Sequence, residues 1–121
     1  MERQSLRELT DFYFKRNHNN KIDYDHYVDK KHKFDIIITQ KDRDNNNDKK
    51  IGVFVCDIHR SIGLNVLRKT QQMLEDSNEI TDAVLVGKNF SSQVRKFKES
   101  YDVKLLSRSQ IRRNLESKWD Y

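Results

Sequence analysis

The sequence predicts one α/β domain, a central mixed five-stranded sheet flanked by helices, with elements in the order α-β-β-β-α-β-α-β-α. Three observations carry this. Short apolar, β-branched runs, FDIIIT (34–39), IGVFVC (51–56) and DAVLVG (82–87), are separated by stretches of different periodicity. Between the last two lies one helix-length segment, which makes a βαβ unit and sets those two strands parallel. A chain of 121 residues suits a single modest core, so 1–121 is expected to be one domain.

Taken in order, Ser5-Leu-Arg-Glu8 has the capping-box pattern and opens a helix over about 5–16, with Leu6, Leu9 and Tyr13 on one face. NHNN (17–20) interrupts it, and Ile22, Tyr24, His26 and Val28 then alternate as in a half-buried strand. DKKHK (29–33) turns the chain into FDIIIT, which is apolar almost throughout, as in a strand covered on both faces. The polar run QKDRDNNNDKK (40–50) is expected to be a flexible loop at a hairpin tip. After IGVFVC, a helix over about 65–75 presents Val66, Leu67, Thr70, Met73 and Leu74 together. After DAVLVG, Ser91 caps a third helix, with Val94, Phe97 and Tyr101 expected inward and Arg95, Lys96 and Lys98 outward. VKLLS (103–107) is the fifth strand, and Ser107-Arg-Ser-Gln110 repeats the capping-box pattern ahead of a last helix with Ile111 and Leu115 apolar. Trp119 and Tyr121 are expected to pack on their own domain.

Composition narrows the function classes. Charged residues make up 36% and hydrophobic residues 35%, so the surface is densely ionic around a small core. No apolar run approaches the roughly 18 residues of a membrane span, and MERQSLREL lacks the apolar stretch of a signal peptide. One cysteine and four scattered histidines leave no disulfide framework and no zinc-finger spacing, in keeping with a reducing intracellular compartment, whether cytoplasm, nucleoid or nucleus. The net charge of +5 is unevenly placed. Residues 88–113 hold eight of the 24 basic side chains and two of the 19 acidic ones, leaving 16 and 17 elsewhere. The excess therefore sits in the C-terminal third, where it suits a polyanionic partner.

The strand-borne aspartate in FDIII, the crossover after the third strand, and the runs CDIHRSIGLNVLRK (56–69) and VLVGKNFSSQVRKFKESYDVKLLSRSQI (84–111) resemble the PD-(D/E)XK nuclease superfamily. Within it, the chain is most similar to the Mrr-type restriction endonuclease domain. A weaker resemblance, on FVCD, SIG and the run from DAVLV into NFSSQV, is to the jaw domain of the fifth subunit of eukaryotic RNA polymerases. The first resemblance implies a restriction endonuclease-like fold. It also implies a magnesium site made by an acid on the second strand and another on the third, with a lysine two residues further on. Many nucleases of this fold act as dimers, so it also allows a homodimer. The second implies the same scaffold without nuclease chemistry, as a module of a larger transcription or DNA-processing complex.

On that pattern Asp35 takes the first acidic position, but Phe54 and Cys56 stand where the second acid and the lysine belong. A phenyl ring offers no ligand, and a thiol is a poor partner for a hard cation. An active enzyme would need migrated groups: Asp57 or Glu8 for the missing carboxylate, Lys69 for the ammonium, and His59 as a base. The plain alternatives are that Asp35 pairs locally, Glu8 serves its cap, and Asp57, His59 and Lys69 face solvent. The expectation is therefore a nucleic-acid-binding protein, with duplex DNA as the foremost partner, whose catalytic site is degenerate and which needs no cofactor. A magnesium-dependent DNA endonuclease is the alternative. Lys88, Asn89, Ser91, Ser92, Arg95, Lys96 and Lys98 are the expected phosphate contacts, with Arg108, Arg112 and Arg113 as a second patch.

Overall fold

The structure is a computed structural model that describes residues 4–41 and 48–116. Its elements follow the expected order: α1 (Leu6–Lys15), β1 (Asn20–Tyr27), β2 (Lys33–Gln40), β3 (Lys49–Cys56), α2 (Leu64–Asp76), β4 (Asp82–Gly87), α3 (Ser92–Phe97), β5 (Val103–Ser107) and α4 (Arg108–Glu116). The five strands form one sheet in the order β1-β2-β3-β4-β5. β1, β2 and β3 pair antiparallel, while β3, β4 and β5 pair parallel, as helical crossovers require. Gln40 pairs with Lys49, so the polar run between β2 and β3 does connect a hairpin. Its residues 42–47, like Trp119 and Tyr121, lie outside the described residues. No described helix is long and apolar enough to cross a membrane.

Each face of the sheet buries its own core. On one, α2 and α3 contribute Leu67, Met73 and Val94 against Phe34, Ile37, Ala83 and Leu85. On the other, α1 and α4 contribute Leu6, Leu9 and Ile111 against Ile36, Ile38, Val53, Val84 and Val86. This explains why β2 and β4 are apolar on both sides, whereas the edge strand β1 is largely exposed. The two buried helical threonines are satisfied within their helices: Thr10 Oγ1 donates to the Leu6 carbonyl at 2.7 Å, and Thr70 Oγ1 to the Val66 carbonyl at 2.8 Å.

Ser5 and Ser107 both cap their helices as predicted. Ser5 Oγ accepts from the Glu8 N–H at 3.1 Å. At α4 the box is reciprocal: Ser107 Oγ accepts from the Gln110 N–H at 3.2 Å, and Gln110 Oε1 accepts from the Ser107 N–H at 2.8 Å.

Two details correct the expected faces. Phe97 points outward, 42% exposed, because α3 ends there after six residues and a single 3-10 turn follows over Lys98–Ser100. Lys96 Nζ lies 5.5 Å from its ring centroid. Tyr24 is also exposed, since β1 covers only the sheet edge; its hydroxyl donates to Asp11, which also pairs with Lys15 at 2.8 Å.

Candidate nucleic-acid interface

β3, β4 and β5 all end on the same edge of the sheet, since Cys56 pairs with Gly87 and Gly87 with Ser107. The groups singled out in the sequence fall at two places along this carboxyl edge.

The first place is the β2–β3 end. Side chains two apart on a strand share a face, yet Phe34 joins the core on the α2 side while Ile36 joins the opposite one. The alternation breaks between them, at Asp35. Across the ladder stands Asp25, the one described non-glycine residue with a left-handed backbone (φ 54°). Gly52 makes the break possible: a Cβ there would sit 2.8 Å from the Phe34 ring, so only glycine lets the ring lie over β3. Asp35 meanwhile turns its carboxylate to β3 and accepts the Val55 N–H on Oδ2 at 2.8 Å. It completes the ladder where the backbone of β2 does not.

Around Asp35 the neighbours are not metal donors. Phe54 and Cys56 are half-buried against the α2-side core, and Lys69 Nζ lies over the Phe54 ring, 5.3 Å from its centroid. Burial pushes the Cys56 thiol above its ordinary pKa, an effect the nearby Lys69 only partly offsets. Asp57 leaves the strand for solvent and pairs with Lys88 at 3.1 Å. His59 is exposed in the loop beyond, and Glu8 is exposed in the first turn of α1. Among the described residues no three His, Cys, Asp or Glu side chains gather closely enough to hold a metal ion. The magnesium site that the nuclease resemblance implies therefore does not fit the residues present: one carboxylate engaged by a backbone N–H, a phenyl ring and a protonated thiol are not the oxygen set of a hard cation.

The second place is the β4–β5 end. β4 leads into α3, which packs on the α2 side through Val94, whereas β5 leads into α4, which packs on the α1 side through Ile111. Helices that leave neighbouring strands to opposite faces open a crevice between the strands' carboxyl ends, the edge of the sheet where α/β proteins bind ligands. Here it is a groove of about 370 Å³ that continues into a second of about 480 Å³. Lys88, Asn89, Phe90, Arg95 and Lys98 line it from the β4–α3 side, and Leu105, Ser107, Arg108, Ser109, Gln110, Arg112 and Arg113 from the β5–α4 side. That lining holds six cations and no carboxylate among the described residues. Asp57 reaches it only through Lys88.

The wall on the β4–α3 side is held in place by backbone bonds. Ile62 N–H donates to the Asn89 carbonyl at 2.9 Å, and Ser91 N–H to the Ile62 carbonyl at 3.0 Å, which ties the turn after β4 to the loop after β3. Gly87 lets Ile62 pass close, since a Cβ there would overlap the Ile62 Cδ1. On the other side, Arg108 Nε is buried and has no hydrogen-bond partner among the described residues.

The geometry thus merges the two basic patches of the sequence into one. Lys88, Asn89, Arg95, Lys98, Arg112 and Arg113 converge with Arg108, while Ser92 and Lys96 are exposed outside the groove. Ser91 is half-buried and serves as N-cap, accepting from the Val94 N–H at 3.2 Å. With only six residues, α3 has too little dipole to be an anion site itself. Ser109 and Gln110 were not expected in the site. The capping box at 107–110 was the available signal, since a cap directly after a strand places its residues on the carboxyl edge. Comparison with known proteins gives no match: no family model, no curated protein and no solved structure is similar enough to this chain to count.

Proposed function

We propose that the chain is a non-catalytic nucleic-acid-binding domain that grips phosphates in the cationic crevice between the ends of β4 and β5, on a restriction endonuclease-like scaffold. The observation that carries this reading is the crevice itself, with six cations and no carboxylate among the described residues of its lining, where α3 and α4 leave the sheet to opposite faces. Such a site rewards repeated negative charge, so binding is dominated by backbone contacts and is sequence-tolerant. The order of elements and the mixed sheet support the scaffold. The surroundings of Asp35 support the absence of catalysis, because the groups beside it suit packing better than metal chemistry.

The test is titration of duplex DNA across a range of salt. Four or five phosphate contacts give a slope of log K against log salt near −4, at roughly −0.9 per contact. Affinity that ignores salt, or no binding at low salt, would remove the reading.

A further inference from the structure

The crevice differs from a flat basic surface in shape and charge, and the two together narrow its ligand. The inference rests on the nucleic-acid reading above and deepens it. We propose that the crevice is an end site, taking a terminal phosphate monoester of a nucleic-acid strand in preference to the diesters of a continuous backbone.

Shape comes first. α3 and α4 rise on opposite faces of the sheet, so the groove is walled on both sides, with Phe90 and Leu105 lining it between the cations. Its volume of about 370 Å³ is at the small-ligand end of binding pockets. The phosphodiesters of a duplex lie on the outside of a broad cylinder, which rests on a rim. A strand end projects and can enter.

Charge points the same way. A phosphodiester carries one negative charge, whereas a monoester carries about 1.5 to 2 at neutral pH and offers three free oxygens. Arg95, Lys98, Arg108 and Arg113, from both walls, have no carboxylate beside them in the lining to satisfy that charge in advance. Arginine guanidinium groups match phosphate oxygens two at a time, which favours a terminal group with several oxygens over a diester with two.

The experiment uses the full chain and fluorescence anisotropy with one single-stranded sequence in four forms: 5′-phosphorylated, 3′-phosphorylated, hydroxyl-ended, and circular. One phosphorylated form is expected to bind about tenfold tighter than the hydroxyl-ended and circular forms, and which one it is identifies the end that enters. The preference should shrink as pH falls through about 6, where the monoester takes up its second proton. Arg95→Ala with Arg113→Ala, one from each wall, should erase the preference. Arg113→Gln, at an exposed position, should weaken it without endangering the fold. Lys96→Ala, outside the groove, should lower all four affinities alike. Equal binding of all four forms, with the salt dependence intact, would overturn the end site and leave general phosphate binding standing. Binding of none would overturn the end site, while the duplex titration above decides the general phosphate-binding reading separately.

Discussion

Asp35 and Lys88 stand along the same edge of the sheet, and their surroundings have been built in opposite ways. At the β2–β3 end, Phe34 turns over Gly52, Phe54 and Cys56 pack on the core, and Asp35 spends its charge on the Val55 N–H. Polar groups there are consumed in holding the sheet. At the β4–β5 end, the connections part to opposite faces, cations collect without carboxylates in the lining, and one guanidinium donor is left over. A carboxyl edge offers several candidate sites, and which one can bind follows from where the hydrogen bonds and charges remain unspent.

This contrast can be broken or sharpened by substitution. The largest effect belongs to the packed end. Phe34→Ala removes a fully buried ring and leaves a cavity over Gly52, costing about 3–5 kcal/mol in denaturant unfolding. What remains folded should bind DNA normally.

Next comes the open end. Arg95→Glu with Arg113→Glu should reduce duplex affinity about a hundredfold at moderate salt and make the slope against log salt shallower by roughly two. Both side chains are exposed, so thermal stability should hardly move. If the double variant binds like the parent, the crevice is not the interface.

Asp35→Ala separates the two accounts of the β2–β3 end directly. As a ladder residue it should cost about 1–3 kcal/mol of stability, because the Val55 N–H loses its acceptor, while DNA affinity stays unchanged. Divalent-ion-dependent nicking of plasmid DNA by the parent protein that disappears in this variant would reverse the comparison and make this end the active one.

Smaller effects remain. Asp57→Asn frees Lys88 from its 3.1 Å ion pair and should raise DNA affinity two- to fivefold, a gain that high salt erases. Burial raises the Cys56 pKa, so the folded thiol alkylates several-fold more slowly than free cysteine at pH 8. The sign follows from the direction of the shift. The protonated thiol is favoured in the fold, so its contribution to stability is present below the unfolded value near 9 and is lost as pH rises through the higher folded one. Alkylation as fast as that of the unfolded chain would show that the β2–β3 end is open.

Much of this architecture was legible in the residues. β4 and β5 fall where DAVLVG and VKLLS predict them, and the boxes at Ser5 and Ser107 do start their helices. Caps, β-branched runs and helical periodicity are local, because each depends on residues a few positions apart. The count of basic residues in 88–113 was equally plain. Periodicity misplaced Phe97, since the helix ends under it, and no local pattern announced that Phe34 and Ile36 would point to opposite faces.

By itself, then, the sequence determined the elements, their order, the parallel pairing of β3 with β4, and where positive charge is concentrated along the chain. The tertiary structure alone decided that Lys88–Lys98 and Arg108–Arg113 form the two walls of one crevice. It also decided that Asp35 is a backbone acceptor and that Asp57 belongs to Lys88. The reason is that these depend on which face of the sheet each helix crosses and on where two strands part, and both are settled by packing two cores at once rather than by any short stretch of residues.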